Sequence, residues 1–168
     1  VALCIDAPNT VIVGAPIGGT WTGSGITSGG IFHPTIAGTF SLVYTYGAGS
    51  CLTTDTLLLT VNPLPVANAG SDLSRCIDAL PFDLNGLPAG GSWSGVGITN
   101  AALGTFNPAT AGAGIHTITY AYTDPVTGCI GTDQLTATVF ALPVVNAGID
   151  TTLCDQPFAI QLNATPAG

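Results

Sequence analysis

The stretch GGTWTGSGIT, residues 18–27, recurs in this chain as GGSWSGVGIT at residues 90–99. Each copy places one tryptophan, Trp21 or Trp93, between glycines at the same spacing, and the two tryptophans are 72 residues apart. Self-similarity at a fixed period is the signature of a repeat architecture. The sequence therefore predicts tandem copies of one structural unit.

The repeat extends beyond the tryptophan stretch. A block at residues 65–72 recurs at residues 143–150, and the offset between the copies grows from 72 to 78 along the chain. Three two-residue insertions, after Ile98, Gly112 and Tyr122, account for this growth, and loops are where we expect them because loops tolerate changes in length. The matched pairs include Cys4/Cys76, Trp21/Trp93, Tyr44/Tyr120, Cys51/Cys129 and, one repeat further on, Cys76/Cys154.

These matches predict three units: a repeat at residues 1–64 with a truncated first strand, a second repeat at residues 65–142, and the incomplete start of a third at residues 143–168. The connectors around residues 62–65 and 140–143 contain proline and no glycine. Such linkers are semi-rigid, so we expect a jointed rod cut from a longer array.

Composition predicts an all-β fold and limits the partners. The chain is 46% hydrophobic and 6% charged, with one arginine, no lysine and a net charge of −8. Apolar residues alternate with threonine at residues 117–122, which is the period of a half-buried strand, and every apolar run is too short for a membrane helix. We expect no nucleic-acid binding, because no basic surface exists to contact phosphates, and no membrane insertion.

The motifs resemble a known class of repeat. An Asn-Ala-Gly-x-Asp opening, a Trp-x-Gly-x-Gly stretch, and a Tyr-x-Tyr strand leading into Cys-x-x-Thr-Asp are similar to PKD-type and related Ig-like repeats. They look most like the tandem repeats of large Bacteroidetes surface adhesins of the gliding-motility-associated, type IX-secreted kind. The resemblance implies tandem Ig-like/PKD-like β-sandwich domains in a secreted, extracellular cell-surface glycoprotein. It also implies O-glycosylation at Thr56 and Thr151, each of which follows an aspartate.

The five cysteines are expected to form disulfides within their own repeats. The repeat register pairs Cys4 with Cys51 and Cys76 with Cys129, and leaves Cys154 as the first cysteine of the third repeat. Each bond would close a loop of about 50 residues, worth about 4 kcal/mol in the chain-entropy model, and would indicate an oxidising compartment. A metal site is the alternative, although no C-x-x-C pair occurs and the histidines do not recur in register.

The recurring aromatic and acidic residues are interpreted as structural. Trp21 and Trp93 are expected in the core, packed over a disulfide, with sugar stacking as the alternative. Four recurring aspartates are expected to cap local N–H groups in turns rather than bind calcium, which needs clustered oxygen ligands. These are Asp55, Asp72, Asp133 and Asp150.

The predicted function is structural: a repeat segment of a large secreted cell-surface protein, forming a semi-rigid stalk or filament for adhesion or surface contact. The expected partners are neighbouring repeats, lateral copies in a filament, and polysaccharide or another cell surface. The alternative is an array of carbohydrate- or protein-binding modules, which exposed aromatics at equivalent positions would favour. No Ser-His-Asp order recurs and no paired acids are expected in a helix-supported cleft, so we expect no enzyme activity and no cofactor.

The spacing also predicts the sequence beyond Gly168. The parent gene is expected to continue with glycine, then serine or threonine, then tryptophan, with a cysteine roughly 30 to 36 residues after that tryptophan. Sequencing the parent gene checks this expectation, and a stop codon directly after Gly168 contradicts it.

Overall fold

The computed structural model describes residues 1–148 and residue 150. Within them the chain is all-β apart from one short helix, which confirms the predicted all-β, Ig-like fold class. The elements in chain order are β1 (Ala2–Cys4), β2 (Thr10–Val11), β3 (Thr20–Thr22), β4 (Ile31–Phe32), β5 (Gly38–Ala48), β6 (Cys51–Asn62), β7 (Leu73–Cys76), β8 (Phe82–Asp83), β9 (Ser92–Ser94), β10 (Ile98–Asn100), β11 (Thr105–Phe106), α1 (Pro108–Ala111), β12 (Gly114–Thr123) and β13 (Ile130–Phe140).

The strands form two units with the same topology. In the first, β1-β6-β5-β3 make a four-stranded sheet and β2-β4 a small second sheet; in the second, β7-β13-β12-β9 and β10-β11-β8 take the same places. The first strand of each unit runs parallel to its last strand, whereas the other strand pairs within the described residues are antiparallel. These units, β1–β6 and β7–β13, are called repeat one and repeat two below.

Each repeat has a core of its own. Side chains on the long hairpins β5–β6 and β12–β13 alternate between buried apolar residues and more exposed ones, many of them threonine. This alternation is what a sheet with one packed face requires. The buried cluster of repeat one is Trp21, Phe32, Leu42, Tyr44, Leu59 and Val61. That of repeat two is Ala69, Leu84, Trp93, Phe106, Ile118, Tyr120, Leu135, Ala137 and Val139.

The repeated glycine-tryptophan stretch builds one contact twice. In repeat two, the rings of Trp93 and Tyr120 lie 4.7 Å apart between centroids, and in repeat one the rings of Trp21 and Tyr44 lie 4.9 Å apart. Such tilted aromatic pairs add to the free energy gained from burying their area. The stretch recurs because each sandwich is closed by the same pair of rings.

Glycines allow the chain to lie against the tyrosine. The backbone N–H of Gly91 donates to the Tyr120 hydroxyl at 2.8 Å, and that hydroxyl donates to the carbonyl of Pro88. A Cβ at Gly86 or Gly91 would overlap the tyrosine ring. Repeat one has the same contacts around Tyr44, since Gly19 donates to its hydroxyl and Pro16 accepts from it.

The insertions make the two repeats differ in local structure. The one after Ile98 falls at β10, not in a plain loop as expected, and the pairing with β11 shifts register between Ile98 and Asn100. A shift of this kind is a β-bulge, which accommodates extra residues in a strand. The one after Tyr122 lengthens the hairpin: residues 49–50 join β5 to β6, whereas residues 124–129 join β12 to β13.

The tyrosine contact yields a first prediction. Tyr120→Phe leaves the Gly91 N–H and the Pro88 carbonyl without their shared partner, and we expect a loss of about 1–3 kcal/mol in the stability of repeat two. Hydrogen exchange measured by mass spectrometry should show faster exchange in β12 while β5 keeps its protection. Tyr122→Phe is the matched control, since Tyr122 lies on the same strand and packs against the same core, whereas the bonds to Gly91 and Pro88 are made by Tyr120. Equal exchange in β12 of the two variants contradicts the prediction.

Candidate functional site

One disulfide in the described part of the chain joins the two repeats. It links Cys4 of repeat one to Cys129 of repeat two, with Cα atoms 5.6 Å apart. The predicted pairs Cys4–Cys51 and Cys76–Cys129 are therefore wrong, and so is the expectation of one disulfide inside each domain. Cys51 and Cys76 are free and exposed, and Cys154 lies outside the described residues.

The strand register explains why the predicted pairs do not form. Cys4 lies opposite Asn62, where β6 ends, whereas Cys51 is the residue with which β6 begins. A strand rises about 3.4 Å per residue, so the length of β6 separates these cysteines by roughly 35 Å. A disulfide needs Cα atoms within about 7 Å. Repeat two has the same arrangement, because Cys76 lies opposite Phe140 at the end of β13 and Cys129 precedes its start.

A short loop holds Cys129 in position. The Asp124 carboxylate accepts hydrogen bonds from the backbone N–H groups of Val126 at 2.7 Å and Thr127 at 3.0 Å. The backbone N–H of Asp124 donates to the Cys129 carbonyl at 2.9 Å. Donation from the Thr127 and Val126 amides holds the pKa of Asp124 below its ordinary value of 3.8. The loop thus presents Cys129 in a defined conformation, and that residue is 1% exposed.

The connector between the repeats packs beside the disulfide. It leaves β6 at Asn62, and the carbonyl oxygen of Pro65 lies directly over Gly131, two residues from Cys129. A Cβ at position 131 would overlap that oxygen, and the matching residue of repeat one is Thr53. The connector and the disulfide therefore both contact repeat two near the start of β13.

The start of repeat two is tied to its last strand by two carboxylates. Asp133 accepts a hydrogen bond from the backbone N–H of Ala69 at 2.8 Å, and Asp72 accepts one from the N–H of Thr136 at 2.7 Å. The expectation that these aspartates cap local turns is wrong for both, since each bond spans 64 residues. Asp55 does act locally, on the N–H of Thr56.

The structure places the two tryptophans in the hydrophobic cores. Trp21 is 7% exposed and Trp93 3% exposed, and neither packs over an intra-repeat disulfide because neither repeat has one. Beside Trp93 and Tyr120 lies an open recess of about 280 Å³. Stacking of a sugar ring needs an exposed aromatic face, which neither tryptophan offers.

The glycosylation candidates and the two histidines do not converge on a site. Thr56 is exposed on β6, and its counterpart in repeat two is Gln134; Thr151 lies outside the described residues. His33 bonds to the side chain of Asn9, and His116 bonds to a backbone carbonyl. Within the described residues, no group of three or more His, Cys, Asp or Glu side chains could hold a metal ion. The joint between the repeats is thus the candidate functional site.

The chain is distantly similar to solved structures of tandem domains. No protein-family model and no curated protein matches the chain. A crystal structure of human protocadherin-24 EC1-2 shares 14% identity and a TM-score of 0.30 over 85% of this chain and 94% of that one. A chimeric titin Z1Z2-Z1Z2 tandem shares 12% identity and a TM-score of 0.28 over 83% of this chain and 94% of that one. The single helix among the described residues, α1, is not long and apolar enough to cross a membrane.

Sequence reasoning missed the joint, although one signal for it was present. Gly131 and Thr53 occupy matching positions, and a glycine inside a strand often marks a close backbone approach. That difference pointed to a contact at β13 that β6 does not have within the chain. The partner of the contact, the connector carbonyl, follows only from the fold.

Gly131 provides a test of the joint. Gly131→Ala places a methyl group against the Pro65 carbonyl, so we expect the connector to lift from β13. Limited proteolysis at residues 62–65 and reduction of Cys4–Cys129 by dithiothreitol should both become faster. Gly29→Ala is the control, because a Cβ at that residue meets open space. Unchanged rates in Gly131→Ala contradict the proposed packing.

The Asp124 loop gives a pH prediction. Because the folded-state pKa of Asp124 is lowered, its contribution to the loop is complete above pH 3.8 and is lost as the pH falls through the lowered pKa. NMR titration of the Val126 and Thr127 amide shifts should show a midpoint below 3.8. The step should be absent in Asp124→Asn, and a midpoint at or above 3.8 in the unmodified chain overturns the prediction.

Proposed function

We propose that this chain is a structural repeat segment of a large secreted cell-surface protein, and that it forms a semi-rigid stalk or filament for adhesion or surface contact. The Cys4–Cys129 disulfide carries the proposal. A disulfide inside a repeat stabilises that repeat alone, whereas one between repeats fixes how neighbours are arranged. Its position favours a role in which the geometry of the array matters.

Two attachments limit the motion at the joint. The backbone passes from Asn62 through Pro65 into repeat two, and the sulfur bridge provides a second covalent link. A single flexible linker lets domains rotate about many axes, whereas two separate links remove most of these rotations. The connector also contains proline and no glycine, which stiffens it further.

The chemistry of the chain supports an extracellular location. Disulfides persist in oxidising compartments and are rare in the cytosol. The resemblance of the repeat motifs to those of Bacteroidetes adhesins supports a type IX-secreted, PKD-like surface protein, glycosylated where Asp-Thr pairs are exposed. Neighbouring repeats are then the immediate partners, and lateral copies, polysaccharide or another cell surface are the partners of the assembled filament.

The binding-module alternative has weaker support. Its expected sign was exposed aromatic rings at equivalent positions in both repeats. The equivalent pairs Trp21/Trp93 and Tyr44/Tyr120 are instead buried. Of the pair Tyr46/Tyr122, Tyr46 is 40% exposed and Tyr122 is half-buried, so the criterion is not met in both repeats. The stalk is therefore the function that we propose.

The stalk proposal is tested by asking whether the repeats move as one body. Residual dipolar couplings should give both repeats one alignment tensor in the oxidised chain. In Cys4→Ser/Cys129→Ser the tensors should differ, because the second link is lost. Cys51→Ser/Cys76→Ser is the matched control and should behave as the unmodified chain. Different tensors for the two repeats in the oxidised protein would falsify the semi-rigid stalk.

Protease resistance gives a second test. Arg75 is the single trypsin site, and it lies in β7 opposite Val139 of β13, so its backbone opens only when the sheet opens. A protease of broad specificity should cut the connector at residues 62–65 only after reductant is added. Rapid cleavage there in the oxidised chain indicates a flexible joint and counts against the stalk.

A further inference from the structure

The two cysteines of the inter-repeat bond occupy two different positions in the repeat. Cys4 ends the first strand, and Cys129 is the last residue of the hairpin loop, directly before β13. Cys76 ends the first strand of repeat two, and Cys51 lies at the hairpin of repeat one, where β6 begins. Cys76 and Cys51, whose thiols are free and exposed, are therefore the counterparts of Cys4 and Cys129 respectively.

The backbone around Cys76 matches that around Cys4. Ile5 N–H donates to the Asn62 carbonyl at 2.9 Å, and Ile77 N–H donates to the Phe140 carbonyl, also at 2.9 Å. In both repeats the cysteine carbonyl then accepts a 3.0 Å bond from an alanine N–H three residues later. Cys76 is thus presented at the end of its sheet as Cys4 is, but its thiol is free.

The chain beyond repeat two also begins as repeat two does. The Asn68 side chain accepts a bond from the Gly70 N–H at 2.7 Å, and the Asn146 side chain accepts one from the Gly148 N–H at 2.8 Å. Each asparagine follows a proline-bearing connector that leaves the last strand of a repeat. The connector after β13 therefore leads into a turn of the same kind as the connector after β6.

From these equivalences we propose that Cys76 is one half of a second inter-repeat disulfide. Its partner is the hairpin cysteine, at the position of Cys129, of a repeat that follows repeat two in an array. Cys51 is the complementary half for a repeat that precedes repeat one. The inference rests on the proposed function only in taking the chain as part of a longer array. It gives each joint of that array a disulfide in addition to the backbone connector.

The bond forms by ordinary thiol–disulfide exchange. The two thiols lose two protons and two electrons to a disulfide oxidant, such as oxidised glutathione or a thiol oxidoreductase, which becomes two thiols. One cysteine first forms a mixed disulfide with the oxidant, and the other then attacks it as a thiolate and releases the reduced oxidant.

The test adds one joint to the chain. A second copy of residues 65–142 is inserted after Leu142, where Pro143 matches Pro65, and Cys154→Ser removes the remaining cysteine. The insertion adds one Cys76 and one Cys129. After oxidation with a glutathione buffer, the thiols are alkylated under denaturing conditions and mapped by non-reducing mass spectrometry. We expect the free-thiol count to stay at two, as in the shorter chain, with the first Cys76 linked to the inserted Cys129.

Two controls identify the pairing. Cys76→Ser in the first copy should leave the inserted Cys129 open to alkylation and the Cys4–Cys129 bond intact. Cys51→Ser should leave the new bond unaffected. Alkylation of both the first Cys76 and the inserted Cys129 in the oxidised parent overturns the proposal. So does a Cys76 linked to another molecule, which appears as a reducible multimer on a gel.

Failure of this proposal is distinguishable from failure of the stalk. If Cys76 pairs as expected but the dipolar couplings give the repeats different alignment tensors, the covalent joint stands and the stiff stalk fails. If the repeats share one tensor while Cys76 stays reactive, the stalk stands and the second disulfide fails.

Discussion

The parallel pairing of the first strand with the last strand governs the rest of the structure. It places the end of β1 beside the end of β6, so Cys4 lies at the edge from which the connector leaves. The hairpin cysteine lies a full strand length away, at the other end of the same sheet. Each repeat therefore carries its two cysteines at opposite ends, and within the described residues Cys4 bonds to Cys129 of the neighbouring repeat.

A second constraint acts inside each repeat. The Tyr120 ring fills the space beside Trp93, and its hydroxyl bridges Gly91 and Pro88. Glycines must lie where the backbone touches that ring, and the same residues surround Tyr44 in repeat one. These contacts are the same inside both repeats, whereas the residues at the ends of the sandwiches differ between them. The joint accordingly uses residues that the two repeats do not share, among them Gly131 and the Asp124 loop.

The sequence was sufficient for properties that depend on local pattern. Alternation along β12 predicted strands, the 72-residue period predicted a second copy, and the all-β, Ig-like class is confirmed. The pairing of Cys4 was mispredicted because the spacing of the repeat contains no information on strand direction. The first strand runs parallel to the last, so the two cysteines of one repeat lie at opposite ends of the sheet. Asp72 and Asp133 were mispredicted for the same reason, since their partners lie 64 residues away in sequence and become neighbours only through the sheet register.

The inter-repeat disulfide also determines how tension passes through the molecule. A pull applied before Cys4 and after Cys129 crosses the sulfur bridge and bypasses the chain between them, a span of 125 residues. At about 3.4 Å per extended residue, roughly 400 Å of contour length stays out of the load path while the bond is intact. Unfolding of the shielded strands then adds no slack. While the disulfide is intact, the distance between Cys4 and Cys129 stays nearly fixed under load. Reduction of this one bond would allow the 125-residue span between them to extend.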